Sequence, residues 1–104
     1  MKKKEVLSVI NDSFIELEKF EKSHNLPNFE KKVVSEVKST LNMLKGKLIN
    51  NNKLDDEEIN KLNLLGQHSY KVFENTALEE LLPKITYYFR KRDGLNFFDL
   101  LLGN

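Results

Sequence analysis

Between Lys3 and Ser23 the apolar residues Val6, Leu7, Ile10, Phe14, Leu17 and Phe20 recur every three or four positions, with polar and charged residues between them. That spacing lines them along one face of a helix and predicts an amphipathic helix over residues 3–23. Ser23-His24-Asn25-Leu26-Pro27 interrupts the pattern, and Pro27 disfavours helical backbone at the residue before it, so a turn belongs there. Phe29, Val33, Val37, Leu41, Leu44 and Leu48 then follow at steps of four and three, which predicts a second helix over 28–49 that stops in Asn50-Asn51-Asn52. Val33, Val34 and Val37 lower helix propensity by roughly half a kcal/mol each, less than the burial of one such side chain returns.

Leu54-Asp55-Asp56-Glu57-Glu58-Ile59 reads as a helix start. Asp55 is placed to accept from the backbone three residues on, Glu58 to accept in return, and Leu54 and Ile59 to pack across the cap. A third helix over 55–74 carries Leu62, Leu65, Val72 and Phe73 inward, and the small residues Gly66 and Ser69 leave room for another backbone. Thr76-Ala77-Leu78-Glu79 repeats the capping pattern and opens a fourth helix over 76–93, with Leu78, Leu81, Leu82, Ile85, Tyr88 and Phe89 on its apolar stripe. Pro83 removes one backbone bond inside that helix and predicts a kink. Arg90, Lys91 and Arg92 suit the negative end of the helix dipole, and Gly94 supplies the stop.

Four amphipathic helices joined by short polar turns, without strand-like alternation or internal repeat, predict an all-α fold. The economical arrangement is a single antiparallel up-down four-helix bundle, followed by a short C-terminal helical segment over 95–104. A chain of 104 residues has room for one such core.

Composition narrows the possible chemistry. A hydrophobic content of 39% beside 32% charge supports a packed core and sets the chain apart from disordered sequences. A net charge of +1 gives no field for polyanions, so nucleic acid is not an expected partner. With no cysteine, disulfides and thiol chemistry are excluded. Met1-Lys2-Lys3-Lys4 is not followed by an uninterrupted apolar run, and no stretch approaches a membrane span, which together point to a cytoplasmic protein. Abundant Lys, Asn, Leu and Ile suggest an AT-rich bacterial or phage gene.

No reaction centre is written in the sequence. His24 and His68 lack a second ligand three or four residues further on, and the carboxylates of Asp55 to Glu58 are accounted for by the cap and by solvent. There is no glycine-rich phosphate loop and no nucleophile elbow, so the expectation is a protein that is not an enzyme and holds no cofactor or metal.

The chain end is where a binding surface is expected. Tyr87, Arg90, Lys91 and Arg92 combine a rigid ring with planar or mobile cations off the apolar stripe, a composition typical of contact surfaces. Phe97, Phe98, Leu100, Leu101 and Leu102 then bring five large apolar groups into six residues, more than one stripe of a short helix can hide. Such a segment packs across its own bundle or meets a partner: a protein, a membrane surface beside Lys2 to Lys4 and Arg90 to Arg92, or a second copy in a homodimer.

In its length, Lys-rich start, lack of cysteine, four amphipathic helices and distinct C-terminal segment, the chain resembles the immunity proteins that protect producers of pediocin-like (class IIa) bacteriocins. The resemblance implies a cytoplasmic antiparallel bundle that acts, without destroying the bacteriocin, on its complex with the mannose phosphotransferase membrane receptor. It also implies that the C-terminal half selects the bacteriocin, a role that would fall here on Tyr87 to Arg92 and Leu95 to Leu102. The residues themselves leave open two other roles through the same surface. One is a phage or mobile-element inhibitor, or secretion adaptor, that binds a soluble host protein; the other is a structural homodimer.

Overall fold

A computed structural model describes residues 1–23 and 25–95, the side chains at 69 and 70 excepted. It contains four helices, α1 (Lys3–Ser23), α2 (Asn28–Asn50), α3 (Asp56–Lys71) and α4 (Leu78–Arg92), and among the described residues no strand. The fold is an all-α helical bundle.

Polar contacts between the helices fix their directions. Lys3 meets Asn51, Lys45 meets Asn11 and Lys38 meets Glu21, so α1 and α2 run antiparallel. Lys47 pairs with Glu58 at 3.0 Å and Glu36 approaches His68 at 4.0 Å, which gives the same relation between α2 and α3. Leu54 and Asn52, before α3, are bonded by Asp93 and Arg92 at the end of α4, so the up-down order is completed. α4 packs closely on both α1 and α3, and α1 on α2; α2 and α3 share the thinnest seam.

One core runs through the bundle. Val6, Ile10 and Leu17 of α1, Val37, Leu41 and Leu44 of α2, Leu62 and Leu65 of α3, and Leu82, Ile85 and Phe89 of α4 are all shielded from solvent. Phe73, in the turn after α3, is also fully buried and meets Phe20 edge-on at 5.2 Å, tying the end of α1 to the α3–α4 turn. The stripes read from periodicity therefore face the same seam, except that Leu81 borders an open cleft beside α1 and the stripe of α2 starts late. Phe29 lies in the first turn of α2 and is 69% exposed, while Leu26, in the preceding loop, fills that end of the core. The apolar stripe of α2 begins one turn later than its spacing indicates, because a loop residue already occupies the place Phe29 would take.

The helix ends show which local signals operate. Asp55 accepts from the Glu58 amide at 2.8 Å and Glu58 from the Asp55 amide at 2.9 Å, the reciprocal box the sequence predicts. The second capping box does not form. Thr76 donates back to the Phe73 carbonyl, Glu79 accepts from the Asn75 amide, and α4 starts at Leu78 with no side-chain cap. The cause is the tight turn through Asn75, whose φ of 65° redirects the chain and leaves Thr76 facing backwards. α4 runs unsplit through Pro83, and its inner residues on both sides of the proline stay buried. It closes at Gly94 with φ of 70°, which brings the Leu95 amide to 2.8 Å from the Arg90 carbonyl, the geometry of a Schellman stop.

Candidate functional site

α4 is amphipathic in the ordinary sense, and its two faces divide the candidate residues. Leu78, Leu82, Ile85 and Phe89 take the inner face. Tyr88 is half-buried and stands edge-on to Phe89, at 5.5 Å and 83°. Tyr87 points the other way and is 66% exposed. Lys84 and Lys91, three residues before it and four after, share that outward face and are exposed.

The three basic residues at the end of α4 have different surroundings. The guanidinium of Arg92 is held by Asp93 at 2.7 Å, by the Asn52 carbonyl at 2.6 Å, and lies 4.7 Å over the Phe89 ring. Asp93, with a side chain only 4% exposed, also accepts from the Leu54 amide at 2.9 Å. Arg92 and Asp93 thus clamp the end of α4 to the connection between α2 and α3. Arg90 turns toward α3, where its terminal nitrogen lies 3.8 Å from the point a side chain on Gly66 would occupy. A methyl on Gly66 would meet it in ordinary van der Waals contact, so the fit there is close without being tight. The Nε of Arg90 is buried there with no hydrogen-bond partner among the described residues, as is Oδ1 of Asn63. Lys91 alone of the three is exposed.

Of the residues singled out from the sequence, then, Tyr87 and Lys91 lie together on an open face, Arg90 lies in the α3–α4 seam, and Arg92 sits in a clamp. Phe97, Phe98, Leu100 and Leu101 fall outside the described residues. Lys84 was not singled out, although its distance of three from Tyr87 on one helix carried the signal. Asp93 was missed as well. Nothing in its sequence context distinguishes it from a solvated aspartate, since the amide it accepts from, that of Leu54, lies some 40 residues upstream.

Among the described residues further clefts open beside the helices, one of them at Glu80, which shares the outward face of α4 with Lys84 and Tyr87. That cleft, of about 360 Å³, is bordered by Asp12, Glu16 and Lys19 of α1 and by Glu80 and Leu81 of α4. Another, of about 440 Å³, lies in the thin seam between α2 and α3. There His68 approaches Glu36 at 4.0 Å, too far for a strong bond. Burial lowers its pKa below 6.5, Lys71 adds to that, and the opposing pull of Glu36 does not overcome it. The imidazole is therefore neutral at neutral pH. Among the described residues no three of His, Cys, Asp and Glu are grouped as a metal ion would require, and no helix is long and apolar enough to cross a membrane.

Compared with known proteins, the chain matches no family model, no curated protein and no solved structure.

Proposed function

We propose that this chain is a non-enzymatic binding protein whose docking surface is the outer face of α4, and that its role is bacteriocin immunity. The carrying observation is Tyr87, a large ring two-thirds exposed between Lys84 and Lys91 on a helix whose opposite face is fully used by the core. A rigid aromatic flanked by mobile cations offers contact area at little entropic cost, with charges at its rim to steer an acidic partner. The clamp of Arg92 and Asp93 supports the same reading, because it holds this face in one orientation without help from a partner. In this role the protein meets the bacteriocin–receptor complex from the cytoplasmic side and blocks the pore by occupancy.

Expression in a strain sensitive to class IIa bacteriocins tests it. Raised tolerance is expected. The double change Tyr87→Ser and Lys91→Glu, both at exposed positions, is expected to abolish it while thermal melting stays as in the parent. Unchanged tolerance across a panel of such bacteriocins defeats the immunity role; tolerance that survives the double change defeats the α4 surface.

A further inference from the structure

Among the described residues, the buried ones that bear a hydroxyl are Ser13, Thr40 and Thr86. In a helix a buried hydroxyl ordinarily bonds back to a carbonyl three or four residues earlier. Ser13 does so to Val9 at 2.8 Å, and Thr86 to Pro83 at 2.9 Å. Thr40 is different. It is 8% exposed, lines the cleft between α2 and α3, and has no hydrogen-bond partner among the described residues. Its hydroxyl is not sealed off, unlike Oδ1 of Asn63 and Nε of Arg90, but reaches the cleft, a space large enough for a small ligand.

The rest of the cleft has a definite polarity. Its floor is apolar, formed by Val37 and Leu65, and Leu64 stands at the rim, 46% exposed. Glu36 lies at one end, level with His68. Lys61 precedes His68 by two turns of α3, which places it about 10 Å along the seam toward the other end. Lys61 has no ion pair among the described residues, and the contact Glu36 makes there within 4.0 Å is to the neutral imidazole. A purely anionic ligand would meet Glu36 and a purely cationic one Lys61. A dipolar ligand complements both.

We propose that the α2–α3 cleft binds a short zwitterionic peptide or peptide-like molecule lying along the seam. Its carboxylate end meets Lys61, its ammonium end meets Glu36, its apolar side chains rest on Leu64 and Leu65, and a backbone amide or carbonyl satisfies Thr40. An extended tripeptide spans about 10 Å, which matches the distance between the two charges. The site shares no residue with the outer face of α4 and stands or falls apart from it.

Trileucine is a suitable probe and its capped form, N-acetyl-trileucine amide, the matched control without end charges. In a two-dimensional amide NMR titration of the full chain, trileucine is expected to shift Thr40, Leu64 and His68 saturably, and the capped peptide to bind at least about fivefold more weakly. Thr40→Val, which keeps the side-chain shape, is expected to weaken trileucine about fivefold, the equivalent of one hydrogen bond. Lys61→Gln and Glu36→Gln, both at exposed positions, should each weaken trileucine and leave the capped peptide unaffected. Absence of saturable shifts, or trileucine binding undiminished by both capping and Lys61→Gln, overturns the proposal.

Discussion

α3 is bordered by two seams, and they are built differently. Toward α4 the space is filled: Phe89, Ile85 and Leu82 are fully buried, Arg90 lies over Gly66, and Arg92 with Asp93 clamps the chain to Asn52 and Leu54. Toward α2 it is left open, with hydroxyls, one neutral imidazole and a carboxylate around a cleft of about 440 Å³. Both seams join amphipathic helices of similar pattern. The difference lies in side-chain volume and in polar cross-links, so helical periodicity ensures that a face is buried but does not decide how completely a seam closes.

The closed seam should carry far more of the stability than the open one. Phe89→Ala is expected to cost about 3–5 kcal/mol by removing a large ring from full burial, whereas Leu64→Ala at the rim of the cleft should cost less than about 1 kcal/mol. Urea denaturation measures both, and equal losses would erase the distinction between the seams. Asp93→Ala comes next. It leaves the Leu54 amide without its acceptor and Arg92 without its carboxylate, for an expected loss of about 2–3 kcal/mol and earlier hydrogen exchange at Leu54. A loss below about 0.5 kcal/mol would mean that the clamp is incidental.

A matched pair of smaller changes sharpens the contrast. Thr86→Val removes a hydroxyl that is bonded and should cost about 0.5–1 kcal/mol, while Thr40→Val removes one that is not and should be neutral or slightly stabilising. If Thr40→Val proved the more damaging, the Thr40 hydroxyl would have a partner within the fold. The smallest effect is expected from His68. Its pKa is lower in the folded chain than the ordinary 6.5, so between 6.5 and that lower value the unfolded chain binds more protons. Stability from this residue is complete above 6.5 and declines as the pH falls below it. His68→Gln should flatten the acid side of the stability profile, as measured by denaturation at neutral and mildly acid pH. Coincident profiles for the two proteins would show that His68 is not held neutral.

Much of this architecture could be read before folding. The four helices follow from apolar steps of three and four, and the start of α3 from Asp55 and Glu58, because a reciprocal cap needs only residues three apart. The second capping motif misled because Thr76 lies in a turn whose course is set by Asn75 and by the burial of Phe73, neither of which a four-residue pattern contains. Phe29 misled for a similar reason: periodicity extends a stripe to the helix end, but Leu26 already fills the space. In the candidate site, Tyr87 and Lys91 could be placed on an outer face from spacing alone, whereas the engagement of Arg92 depends on Asn52 and Asp93 meeting across the bundle.

What this sequence determined by itself is the set of helices and the face each one buries, since both depend on interactions among residues a few positions apart. What only the tertiary structure decided is which seam closes, which of three adjacent cations is engaged and which hydroxyl faces a cleft. Those outcomes depend on the volumes and partners that distant segments bring to one place, and no local pattern encodes them.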